Sequence, residues 1–252
     1  MRIDFYCPYY DLIKYKPYPI KQNMPDWFRK LPMFHDRQIN QRTVKACVPF
    51  VEAMTSGYCI PTPFDLKIKK QINEDGNFSL WTEWGTLGAS ELIDNKYGKL
   101  PMLDFSGHDP HQYTDMPFPD GYWNLVAKFV LPWSVKTPGG YSCLFIPPMN
   151  RERVYFEIIS GIIDTDLFEF NLNFPIYMKD WDDSKGPYRE LVIPGGTPIA
   201  HVFPFKRDDW KMHIGKDPRH STTEKKYKRH VKFLSDAVHN YRNKTWRKKS
   251  YK

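Results

Sequence analysis

The sequence predicts a mainly β fold, a β-sandwich or jelly-roll-like barrel, on three observations. Aromatic residues make up 16% of the 252 residues and prolines number 22. Aromatic side chains favour pleated surfaces, and proline is confined to edges and loops, so this mixture suits strands joined by proline-shaped connections. "FDLKIKKQI" and "NFSLWTEW" both alternate, and "NEDG" joins them, which is a hairpin pattern with Gly76 able to take the positive φ of the turn. In residues 167–175, Phe168, Phe170, Leu172 and Phe174 recur at every second place and predict a strand with one greasy face.

Taken in order, residues 1–42 read as an N-terminal arm punctuated by Pro8, Pro17, Pro19, Pro25 and Pro32. Its Tyr, Trp and Phe content predicts that it lies across the core, because disordered segments lack such residues. "NMPDWFRKLP" predicts a short helix capped by Asn23 with Pro25 in its first turn. "TVKACVPFVEAM" reads as a strand into Pro49 and then a short helix. Residues 86–122 are loop-like, "YWNLVAKFVLPWSV" reads as buried strand, "TPGG" turns the chain and "YSCLFIPP" returns it. "YRELVIPGGTPIAHVFPF" predicts a further strand pair around Gly195 and Gly196.

The C-terminal part differs in kind. Ser221 and Glu224 form a capping box, and Tyr227, Val231, Leu234, Val238 and Tyr241 make one apolar stripe at helical spacing. A helix docked through that stripe, with "RNKTWRKKSYK" as a flexible basic hook, is the expectation. The chain is thus read as one domain: an arm over residues 1–42, a β core over 43–206, and a linker with a basic helix over 207–252.

Net charge is +8, yet residues 224–252 alone hold eleven Lys or Arg against two Asp or Glu. The remaining 223 residues carry 26 basic and 27 acidic groups. Basicity therefore belongs to the tail, which weakens any case for nucleic-acid binding by the body. Lys225, Lys228, Arg229, Lys232, Arg247, Lys248 and Lys249 are the candidate contacts to an acidic protein surface or to nucleic acid. Cys7, Cys47, Cys59 and Cys143 form no C-x-x-C pair, no apolar leader opens the chain, and no run approaches a membrane span. These features predict a reduced, intracellular protein.

Chemistry-bearing residues are sparse. Asp164 and Asp166 share a face at the start of the predicted strand, and aspartate there holds a chain corner by accepting backbone N–H bonds. His108 and His111 in "GHDPHQ" are metal-ligand types at close spacing, though off the spacing a barrel strand would impose. "KRDDWK" reads as a solvated turn with internal ion pairs, and "TPGGY" lacks the Lys and Ser/Thr of a phosphate loop. Ser142 and Cys143 have no nucleophile context.

"GIIDTD", followed by a strand and "IPGGTPIAHVFPF", resembles the G-x-I-D and G-x-x-I-A-Q segments of the dUTPase and dCTP-deaminase superfamily. That resemblance implies a β-clip barrel, often trimeric, that handles deoxynucleotides with Mg. It implies Asp164 as the base that activates water, with Asp166, Asn171 and Arg151 as ligand contacts. Leu167 stands where the superfamily places a tyrosine, Arg151 in "PPMNR" lacks the following serine, and only Gly57 and Asp65 echo the early S-A-G-x-D-L motif. A glycine-rich C-terminal lid is missing from the sequence. More broadly, "MPDWFRKLP", "TVKACVPFVEAMTSGY", "PWSVKTPGGYSCLFIPPMNR", "SGIIDTD" and "GTPIAHVFPFKRDDWK" resemble an uncharacterised family from marine T4-like bacteriophages, with His201 where that family has glutamine. This implies a viral protein in the bacterial host cytoplasm or the virion.

The function expected from the sequence is therefore a non-catalytic binding or assembly β-domain, possible as a homo-oligomer and needing no cofactor. A nucleotide-handling enzyme with Asp164 as base and a metal-dependent β-barrel using His108 and His111 are the alternatives.

Overall fold

The computed structural model describes residues 1–35, 41–72, 78–84, 104–180, 188–215, 225, 227, 228, 231 and 246–252. In chain order these contain β1 (Asp4–Tyr6), β2 (Tyr18–Pro19), α1 (Asp26–Lys30), α2 (Val48–Thr55), β3 (Tyr58–Pro61), β4 (Leu66–Ile72) and β5 (Phe78–Trp84). There follow β6 (Asp104–Gly107), β7 (Tyr122–Val130), β8 (Ser134–Lys136), β9 (Tyr141–Ile146) and β10 (Phe156–Ile158). The last are β11 (Gly161–Ile163), β12 (Asn173–Lys179), β13 (Tyr188–Ile193) and β14 (Pro198–Lys206).

The protein is mainly β, and every strand pairing is antiparallel. The strands form sheets ordered β11-β9-β14-β3-β2, β10-β12-β7-β6 and β13-β4-β5, with β1-β8 as a short ribbon. None of these sheets closes on itself among the described residues. One apolar cluster draws on all of them. Phe145 of β9 meets Phe174 of β12 with ring centres 5.6 Å apart, so the two largest sheets pack through their inner faces, as in a sandwich. Phe129 of β7 stands edge-on to Phe105 at 5.0 Å and to Phe156 at 4.9 Å. Burying one such ring contributes about 2–3 kcal/mol.

Sequence patterns convert to elements with some changes. The predicted hairpin forms, with Leu66 opposite Trp84 and Ile72 opposite Phe78; its connection lies outside the described residues. Strand β13 does not pair with β14. It joins β4, while β14 sits between β9 and β3. The turn at Gly195 and Gly196 therefore passes the chain from one sheet to another. Gly195 is required there, because a Cβ would lie 2.5 Å from the Tyr15 ring. Instead of a strand into Pro49, residues Val44–Ala46 make a 3-10 turn, and α2 starts with Pro49 in its first turn. The first helix begins after Pro25, and Asn23 bonds the Tyr18 hydroxyl rather than capping it. A strand, β6, and a 3-10 turn at Pro110–Tyr113 lie inside the stretch expected to be loop.

The predicted strand over residues 167–175 is the principal correction. Its greasy alternation is real only from Leu172 onward, where Leu172, just before β12, and Phe174, Ile176 and Met178 along it are buried. Upstream, the Asp164 carbonyl accepts the N–H groups of both Leu167 and Phe168 at 2.9 Å, which closes a turn. Leu167 and Phe170 are 72% and 73% exposed, and Phe168 packs on Phe170 rather than in the core.

The arm does lie across the body. Tyr9, Ile13, Ile20 and Phe28 are buried, β1 pairs with β8, and β2 extends the five-stranded sheet. Of the expected C-terminal stripe only Tyr227 and Val231 are described, and both are exposed; Leu234, Val238, Tyr241 and the capping box lie outside the described residues. Residues 246–252 are no free hook: Tyr251 stands edge-on to Tyr58 at 5.7 Å, and Lys249 pairs with Glu52.

Candidate functional site

The two aspartates singled out from sequence sit where β11 ends, beside its partner β9, with Ile163 opposite Cys143. The turn that follows brings both carboxylates to Arg207, just past β14. Asp166 receives a two-pronged bond from Arg207, Nη1 to Oδ1 at 2.8 Å and Nη2 to Oδ2 at 2.5 Å, and the Gly140 N–H at 2.7 Å. Such paired, charge-assisted bonds are the strong ones. The Arg207 hydrogen bond, helped by the Gly140 N–H, holds the Asp166 carboxyl down to about 2. Asp164 accepts the Ser142 hydroxyl at 2.6 Å and lies 3.2 Å from Arg207 Nη1, with more than half of its side chain open to solvent. Arg207 Nη1 also donates to the Tyr141 carbonyl at 3.1 Å.

Behind this pair the Thr137 and Thr165 hydroxyls meet at 2.7 Å, and Thr165 donates to Cys143 Sγ. Burial pushes the Cys143 thiol up to about 11, so it stays protonated at neutral pH. Asp166 is a committed anion and a weak base. Its role in this geometry is to tie the β8–β9 turn, the corner after β11 and the end of β14 into one knot.

The other predicted residues do not join that corner. Arg151 Nη2 donates to the carbonyls of Ile20 at 3.1 Å and Met54 at 3.5 Å, and Nη1 donates to that of Asn23. Its guanidinium thus clamps the arm and α2 to the loop after β9. Asn171 is half-buried in the approach to β12. His111 pairs with Asp109 at 2.5 Å on an exposed 3-10 turn, while the His108 N–H bonds the Val126 carbonyl. Among the described residues no three His, Cys, Asp or Glu side chains gather as a metal would need. Lys225, Lys228, Arg247 and Lys248 are exposed; Arg229 and Lys232 lie outside the described residues.

Three features were missed from sequence. Arg207 read as part of a solvated turn; the Lys206–Asp208 pair at 2.9 Å fits that reading, but Arg207 itself is the hub of the corner. His201 is fully buried on β14, with Nε2–H donating to the Ser56 carbonyl at 2.5 Å and the ring 4.2 Å from that of Phe203. Burial lowers its pKa to about 4. The third is the segment after Arg207. Residues 208–215 carry no secondary structure, and Trp210, Met212 and Ile214 are 89%, 87% and 85% exposed. The alternation in "WKMHI" was the available signal.

The corner and this segment both expose apolar side chains. Ile162, Leu167 and Phe170 are exposed in β11 and the turn after it, and the segment with Trp210, Met212 and Ile214 follows directly on Arg207. The outer edge of β11 is unpaired among the described residues, since β11 bonds only β9. The cavities between the arm and α2, beside Tyr155 and beside Tyr15 have neither Asp164 nor Asp166 among their lining residues. Comparison with family profiles, with curated proteins and with solved structures finds no match to this chain.

Proposed function

We propose that this chain is a non-catalytic binding and assembly β-domain of bacteriophage origin that acts as a homo-oligomer, with a jelly-roll-like or β-clip arrangement of its sheets. The observation that carries the reading is the segment 208–215, which has no secondary structure and whose three large apolar side chains stand almost wholly in water. Single exposed apolar residues are ordinary, but a row of them at every second place has the form of a strand without a partner. The occupant is a second copy of this chain. Arg207 at the root of the segment is bonded to the turn that follows β11, whose outer edge is unpaired among the described residues, and Ile162, Leu167 and Phe170 of that strand and turn are also uncovered. Reciprocal exchange between copies would supply both the missing strand partner and the missing apolar cover. The commitment of Asp166 to Arg207 and Gly140 supports a corner built to hold geometry rather than to move protons.

Sedimentation velocity over a wide concentration range tests this. Self-association of the parent, lost in the variant Trp210→Ser/Met212→Ser/Ile214→Ser, is the expected result. A parent that stays monomeric throughout would sink the reading. Detection of the chain in purified virions would place that assembly in the particle.

A further inference from the structure

A cavity of about 800 Å³ lies between the arm, α2 and residues 246–252. Sites for small molecules run from about 300 to 1,000 Å³. Val48, Val51, Glu52 and Thr55 line it, and their spacing of three, four and seven residues marks one face of α2. Five cations line it as well, against the single carboxylate of Glu52. Two are already committed: Lys45 donates to the Arg29 and Leu31 carbonyls at 3.0 and 2.9 Å, and Lys249 pairs with Glu52. Lys21, Arg42 and Lys248 have no ion-pair partner among the described residues.

Apart from Ser56, the remaining lining is apolar or aromatic, with Met33, Phe34, Trp246 and Tyr251. Trp246 adds a further unmet donor: its indole Nε1–H is buried without a hydrogen-bond partner among the described residues. A buried donor left unpaired costs about 1–3 kcal/mol, so such groups call for an acceptor. Three uncommitted cations, one orphan donor and aromatic walls have a common complement.

We infer that this cavity binds a small organic anion carrying an aromatic or aliphatic body. The anionic group faces Lys21, Arg42 and Lys248, the body lies against the α2 face and Trp246, and an acceptor on the ligand takes the Trp246 Nε1–H. Lys249 stays with Glu52 and fixes the tail over the site. The site shares no residue with the corner or with the segment 208–215.

The test is a fluorescence titration of the full chain with 8-anilinonaphthalene-1-sulfonate, which has the required anion and aromatic rings. The parent is expected to bind saturably. Arg42→Glu/Lys248→Glu, both exposed positions, is expected to bind at least about tenfold more weakly, as befits the loss of charge-assisted contacts. Val51→Phe, which fills the cavity without changing charge, is expected to weaken binding as well. Arg247→Glu, on the same tail but outside the lining, and the triple serine variant of residues 210, 212 and 214 are expected to bind like the parent. No binding by the parent, unchanged affinity in Arg42→Glu/Lys248→Glu, or loss that follows the triple serine variant would each overturn the inference.

Discussion

The N-terminal arm and residues 208–215 are both rich in large apolar side chains, yet they meet water differently. The arm buries Tyr9, Ile13, Ile20 and Phe28. Residues 208–215 leave Trp210, Met212 and Ile214 exposed. The difference lies in the polar ties. Ile20 N–H bonds the Gly57 carbonyl at 3.1 Å, β2 pairs with β3, and Arg151 gathers the Ile20 and Asn23 carbonyls. Among the described residues, 208–215 are tied only at their root, where Lys206 pairs with Asp208 beside Arg207 and its bonds to Asp166. Apolar content makes a segment adhesive, and backbone hydrogen bonding decides whether it adheres to its own body.

The contrast can be broken from the arm's side first. Arg151→Ala takes the guanidinium from three carbonyls, of which that of Ile20 keeps the Asn23 N–H, and releases the arm from α2, so a loss of about 3 kcal/mol in urea unfolding is expected. A loss under about 1 kcal/mol would mean that the arm is held by its rings alone. Next comes acid. His201 binds its proton near 4 in the folded chain and near 6.5 when unfolded, so the unfolded state takes the proton first as pH falls. Stability is therefore full above pH 6.5, falls between 6.5 and 4, and gains no further slope below; the loss is about 3 kcal/mol. His201→Gln is expected to flatten that window.

Asp166 gives a second, lower window and a smaller effect. Its folded value of about 2 lies below the ordinary 3.8, so its contribution is present above 3.8 and is lost as pH falls toward 2. Asp166→Asn is expected to erase the slope there while leaving the His201 window intact, as read by thermal unfolding across pH. The smallest stability effect belongs to Trp210→Ser/Met212→Ser/Ile214→Ser. The monomer is expected to keep its stability within about 0.5 kcal/mol, because these side chains are exposed and bury little surface in their own copy.

Local patterns in the sequence were legible where the contacts are local. The β4–β5 hairpin, β7, β9 and β14 follow from alternation and turn residues. Pairing was not legible, because β13 and β14 flank one turn and yet enter different sheets. Period-two counting also ran too far upstream. Phe168 and Phe170 continue the rhythm of Leu172 and Phe174, but Asp164 closes a turn before them, and alternation carries no mark of where a turn overrides it. The corner's aspartates were visible because of their spacing. Their partner Arg207, some forty residues on, was hidden among the mixed charges of "KRDDWK". His201 was read only as a departure from a glutamine, since a lone histidine inside an apolar strand looks like any core residue until its carbonyl partner is placed.

Hydrogen exchange followed by mass spectrometry, run on the same protein at low and at high concentration, tests the contrast between the two segments most directly. Backbone amides around Ile20 and Asn23 should be protected at both concentrations. Those of residues 208–215 should exchange freely when dilute and become protected when concentrated, as a second copy covers them. Equal, rapid exchange of residues 208–215 at both concentrations, or an arm that exchanges as fast as they do, would contradict it.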